Sequence, residues 1–173
     1  MGLVIEPVKE YFDELVENYK DYPEIIKVNK ALHASEKNIE IYKISPNSVN
    51  KYPDWVKGIA SLDAEHHKKT NIDSKDIINE TVLADTLMNI INQNPINQKI
   101  DYFQVDTEGF DYEVIKMIDF ECIKPKKIKY ESINLKEDEK NNLELLLENQ
   151  GYFVFTEFGD SIAIKLNKIK LFS

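Results

Sequence analysis

The chain has 173 residues, of which 42% are hydrophobic and 31% charged, with a formal net charge of −9. Length and balance fit a single globular domain that buries a core without disulfides or metal, and exclude a disordered or fibrous chain. The acidity argues against a nucleic-acid partner, because coating a phosphodiester backbone needs a basic face that releases counterions, so the charge reads as a solvated surface.

The N-terminus lacks a signal-peptide core and a myristoylation pattern, and no window reaches the length of a membrane span. A soluble cytoplasmic protein with no membrane partner is therefore expected. Leu3 to Ile5 reads as a short strand stopped by Glu6-Pro7, where proline suits the first turn of a helix. Val8, Phe12, Leu15, Val16 and Tyr19 then recur at helical spacing and predict one buried face. Past Pro23, Ile25 to Leu32 reads as a second strand, and Ile39 to Ile44 alternates as a third with one wet face.

From Ser45 to about Ser74 turn formers, Trp55 and the pair His66-His67 occur without sustained period, which predicts a long loop of the functional or mobile kind. Ile77 to Leu83 follows as a strand and Thr86 to Ile91 as a short helix, broken at Asn94-Pro95. Ile100 to Val105 is a strand ending at Asp106, and Gly109 permits a sharp turn into a helix with Phe110, Val114, Ile115 and Ile118 as its apolar positions. Cys122, the single cysteine, fits a reducing compartment and is expected to be buried as a small hydrophobe. Lys127 to Tyr130 is a strand ending at Glu131. A helix carrying Leu143, Leu146 and Leu147 follows, with Asn134 and Glu137 as a capping box and Gly151 at its end. Tyr152 to Thr156 and Ser161 to Leu166 close the chain as a hairpin around Gly159-Asp160.

Strands alternating with helices and closed by a hairpin imply an α/β fold, with a mostly parallel sheet and one antiparallel edge. Glu6, Asp106 and Glu131 stand at the C-terminal ends of predicted parallel strands, where ligands of open α/β sheets bind, so one crevice is expected. Glu6 is placed to accept hydrogen bonds from ribose hydroxyls, or to complement a helix dipole. The turn from Asp106 to Asp111 puts acids and a glycine between strand and helix, a ligand-approach geometry or a helix cap. His66 and His67 titrate near neutrality and are candidate bases in the long loop; adjacent side chains diverge and no third ligand is at hand, so no metal is expected.

Asp106-Thr107-Glu108-Gly109 followed by Asp111-Tyr112-Glu113-Val114-Ile115 resembles the D-x-E-G-x-E-x-x-V/L stretch of FkbM-family methyltransferases. Glu6-Pro7 with Leu15 and Asn18 resembles their E-P-x(7)-L-x-x-N segment, and Asn29 to Leu32, Ala84 to Leu87 and Ile128 to Glu131 are similar to further family blocks. The resemblance implies a Rossmann-like class I fold that uses S-adenosylmethionine to methylate a small-molecule acceptor, commonly a hydroxyl on a sugar or polyketide. By the same resemblance Glu6 holds the ribose, Ala31 and Leu32 flank the adenine, and Asp106 lies by the methionine end. Asp106, Glu108, His66 and His67 are the catalytic candidates, and Trp55, Ser61 and Glu131 would contact the acceptor.

One family element is missing from the sequence. The first strand with its glycine-rich turn has no counterpart, since Gly2, Gly58, Gly109, Gly151 and Gly159 are all isolated. The expectation is an N-terminally incomplete domain with a rearranged sheet or an intermolecular contact, such as a homodimer through the sheet gap or edge. The alternative is a binding or assembly module that has lost the cofactor.

Overall fold

The structure, a computed structural model, describes residues 1–94, 96 and 99–166; Pro95 lies outside them. It is α/β with mixed sheets, and its contacts group into two compact units, residues 1–96 and 97–173. Among the described residues no helix is long and apolar enough to cross a membrane.

In the first unit β1 (Gly2–Ile5) runs parallel to β2 (Ile25–Val28), joined by α1 (Lys9–Asn18). Val8 is extended and α1 starts directly after it. The predicted apolar face is only partly buried: Val8 is fully covered, Phe12, Leu15 and Tyr19 are half-buried, and Val16 is exposed. Tyr11, one turn on from Val8, packs instead on the cluster of Val8, Ala31, Ile41, Val82 and Ala84.

The strand expected from Ile25 to Leu32 is two strands. Asn29 donates its side-chain amide to the carbonyls of Glu6 (2.8 Å) and Pro7 (3.0 Å), which ties the chain between the two strands to the turn after β1. Beyond it β3 (Ala31–Leu32) joins another sheet, parallel to the end of β6 (Ile77–Asp85). That sheet has the order β3-β6-β4-β5, with β4 (Asn38–Ile44) antiparallel to both β6 and β5 (Ala60–Ser61). The mostly parallel arrangement is therefore not what the chain builds: β4 enters between β6 and β5 in the opposite sense.

The long segment after β4 has its own core. Ile44, Val56, Ile59 and Ile72 are buried together, with Val49, Tyr52 and Ile77 against them. The Asp76 carboxylate accepts from Ser48 Oγ (2.7 Å), Lys51 Nζ (2.8 Å) and the Tyr52 hydroxyl (2.8 Å), and these donors hold its carboxyl far below the usual carboxylate range. Helix α2 (Leu87–Gln93) starts where Thr86 Oγ1 accepts from the Asn89 N–H, an N-cap, and buries Leu87, Ile90 and Ile91.

The second unit holds a sheet of order β7-β8-β10-β9. β7 (Tyr102–Val105) and β8 (Lys127–Glu131) are parallel, while β10 (Asp160–Lys165) is antiparallel to β8 and to β9 (Tyr152–Glu157). The C-terminal hairpin is as expected, its turn one residue earlier, at Phe158 and Gly159. Both residues have positive φ (51° and 95°), which the tightest hairpin turns demand.

Helices α3 (Asp111–Lys116) and α4 (Glu137–Asn149) bury Val114, Ile115, Leu143 and Leu147. The capping box of α4 is not the predicted one: the Lys136 N–H donates to the Glu139 carboxylate (2.9 Å), because Asn134 is occupied elsewhere. Cys122 is exposed rather than buried. Its N–H and thiol both turn back to the Asp119 carboxylate, and Ile123 takes the buried position beside it.

Candidate functional site

The first unit presents Glu6 at the C-terminal end of β1. Proline fixes the turn after it, and the Val8 N–H donates to Glu6 Oε1 (2.8 Å). Burial raises the Glu6 carboxyl above its usual range; the Val8 hydrogen bond opposes this, Glu80 adds to it, and the Lys43 ammonium pulls it back. Asn29 ties the end of β2 to the same turn. Ala31 is buried and Leu32 half-buried on β3, and the next residue, His33, donates its N–H to the Asp85 carbonyl (3.1 Å). Asp85 itself is paired with Lys30 (2.8 Å).

His66 and His67 sit on a short 3-10 turn beside a small cavity lined by Tyr42, Lys43, Ile59 and Ile77. His66 is buried rather than an exposed loop histidine, and burial lowers its pKa, with the Lys69 and His67 charges adding to the effect. His67 Nδ1 lies 2.9 Å from the Ala64 carbonyl. Ser61 is buried, with Oγ accepting from the Asp63 N–H (3.1 Å), whereas Trp55 is 59% exposed.

The second unit brings more polar groups together. Asp111, the first residue of α3, has a side chain wholly out of solvent. One of its oxygens accepts from the Thr107 N–H (3.1 Å) and hydroxyl (2.8 Å), the other from the Glu131 N–H (3.0 Å). Burial raises its carboxyl pKa, and those three bonds counter the rise. The clamp joins the turn after β7 to the end of β8.

Within the clamped turn Glu108 takes φ 52° and Gly109 φ 100°, left-handed conformations that rarely suit a side chain. A Cβ on Gly109 would come within 3.4 Å of the Asn134 carbonyl oxygen. The Asn134 amide donates to both Glu108 Oε2 (3.1 Å) and Glu131 Oε2 (2.8 Å), so it draws carboxylates of two strand ends together. Asp106 remains open to solvent, yet partial burial raises its carboxyl, with the Asp160 carboxylate adding and Lys129 opposing. Burial likewise raises Glu131, against the Asn134 hydrogen bond and with Asp106, Asp111 and Asp160 reinforcing it.

Tight left-handed backbone, an interior carboxylate and two bridged acids are costly features for a surface turn, and such strain collects at functional sites. A family model for the methyltransferase FkbM domain matches residues 1–154. The chain belongs to the FkbM methyltransferase family. No curated protein and no solved structure matches it. The FkbM-type segments at Glu6-Pro7 and Asp106 to Gly109 are thus the two strand ends described above, each within its own unit. Asn29, Lys43 and Asn134 were not singled out as site residues from the sequence. Asn29 heads one of the family blocks and Asn134 lies three positions past a strand-end acid, whereas Lys43 carries no sequence signal beyond its place in an alternating strand.

Proposed function

We propose that this FkbM-family chain is an S-adenosylmethionine-dependent methyltransferase that methylates a hydroxyl on a sugar, polyketide or other small molecule, on a Rossmann-like class I domain in the cytoplasm. The Asp111-clamped turn carries this reading, because it holds Asp106 and Glu108 in a fixed place at a strand end with Glu131 beside them.

The residues suit such a cofactor. Glu6 offers a carboxylate acceptor for ribose hydroxyls, Ala31 and Leu32 an apolar seat for adenine, and Asp106 a negative charge suited to the methionine end and its sulfonium. When bound, the cofactor supplies an electrophilic methyl group. The chain's own part is to hold the acceptor in line and to receive its proton. Glu108 and Asp106, with carboxyls at strand ends, and His66 and His67, with imidazoles in the loop, are the candidates for that proton. Glu131 at the end of β8, and Trp55 and Ser61 in the segment after β4, are the candidates for contacts to the acceptor.

Calorimetric titration with S-adenosylhomocysteine tests the reading. Binding by the chain, weakened about tenfold or more in Glu6→Gln and in Asp106→Asn, is the expected result. Absence of binding would leave the second reading, a family member that serves as a binding or assembly module. That reading is favoured by strands β1 and β7, each with a single ladder partner among the described residues. A homodimer formed through such an edge would appear in light scattering as twice the monomer mass.

A further inference from the structure

Lys43 occupies a position where an apolar residue belongs. It lies on the face of β4 that carries Ile39 and Ile41, is only 2% exposed, and yet keeps its charge through ion pairs with Glu10 Oε2 and Glu80 Oε2, both at 2.6 Å. The three partners come from different elements: Glu10 from the first turn of α1, Lys43 from β4 and Glu80 from β6. A lysine buried in this way costs stability unless its partners are well placed, and a methionine or leucine would fill the same space without that cost.

The start of α1 is also the turn that presents Glu6, with Val8 bonded to its carboxylate. Lys43 fastens that turn to the sheet and sets the local charge balance. The titratable groups around Lys43 are Glu6, Glu10 and Tyr11 at the start of α1 and Glu80 on β6, with Asp63, His66 and His67 beside it on the wall of a small cavity. On Glu6 itself Lys43 is the favourable charge and Glu80 the unfavourable one.

We infer that Lys43 is a positioning residue for Glu6: through the Glu10–Lys43–Glu80 triad it fixes the β1–α1 turn that presents the Glu6 carboxylate for ribose hydroxyls. The role of Glu6 toward ribose rests on the proposed function; the action of Lys43 on Glu6 does not.

The experiment separates the two. Carboxyl-carbon NMR of the unliganded, Glu-labelled chain follows Glu6 from pH 3 to 8 in wild type, Lys43→Met, Lys43→Arg and Glu80→Gln. Lys43→Met, which keeps the aliphatic stem, raises the Glu6 midpoint by about half a pH unit or more, Lys43→Arg restores it, and Glu80→Gln lowers it. In parallel, S-adenosylhomocysteine affinity near pH 5 falls about threefold in Lys43→Met and recovers at pH 8. An unchanged Glu6 midpoint in both Lys43→Met and Glu80→Gln, whatever their melting temperatures, overturns the inference and leaves the triad a structural staple. Should Lys43→Met fail to fold, Glu80→Gln alone decides. Loss of the affinity arm with the NMR shifts intact refutes the ribose role and upholds the action of Lys43 on Glu6.

Discussion

Asp111→Ala would remove the acceptor that ties the Asp106–Gly109 turn to the end of β8. Three hydrogen bonds to one interior carboxylate are lost, and two backbone donors, the N–H groups of Thr107 and Glu131, are left facing a small void; the Thr107 hydroxyl can rotate to another partner. Stranding each donor costs about 1–3 kcal/mol, and part of that sum is returned because the ionised form of Asp111 is itself penalised by burial. The net expectation is about 2–4 kcal/mol, equivalent to amide exchange at Thr107 and Glu131 about 30- to 1000-fold faster than in wild type. Hydrogen exchange followed by NMR reads those two amides directly, with amides in α4 as an internal reference. Protection at Thr107 and Glu131 within about twofold of wild type would show that the turn is held by something other than this carboxylate.

Gly159→Ala should destabilise the hairpin by about 1–2 kcal/mol, because φ is 95° and a Cβ would sit 3.3 Å from the Ile133 Cβ; denaturant unfolding checks it, and a stabilised variant would contradict the strain. Tyr152 donates its hydroxyl to the Pro125 carbonyl (2.6 Å), and burial pushes its pKa up to about 12. The folded state therefore keeps a proton that the unfolded chain releases near pH 10. Its contribution is complete below that pH and fades as pH rises toward 12, so wild type should lose about 1–3 kcal/mol over that interval relative to Tyr152→Phe, read from unfolding curves at each pH. Asp76 is the opposite case: its carboxyl is depressed by Lys51, Ser48 and Tyr52, so the stability it gives is present above about pH 4 and is lost as pH falls further. Asp76→Asn should abolish that acid-dependent part, followed by Trp55 fluorescence, and an unchanged acid transition would refute the assignment.

Much of the local structure was legible because it depends on near neighbours. Alternation in Ile39 to Ile44, the leucines of α4 and the glycine past its end each reflect contacts within a few residues, and the corresponding elements are present. The Asp106 to Asp111 turn was visible for the same reason, since Thr107 and Asp111 are four residues apart. What escaped notice involved distant partners. Asn29, between two strands, bonds residues 22 and 23 positions away, and His66 is buried in a loop that its own sequence gives no reason to fold inward. Cys122 was misplaced because hydrophobic character says that a side chain can be buried, whereas the Asp119 turn decides that it is not.

The amino-acid order by itself determined which residues alternate, which turn carries acids and a glycine, and the family to which the chain belongs. It left open the sense of each strand, because side-chain alternation is the same in a parallel and an antiparallel ladder. Only the tertiary structure put β4 antiparallel to β6, brought Glu10, Lys43 and Glu80 to one point, and aimed the Asn134 amide at two carboxylates. Those outcomes follow from the pairing of polar groups far apart in the chain, which must find each other once water is excluded from around them.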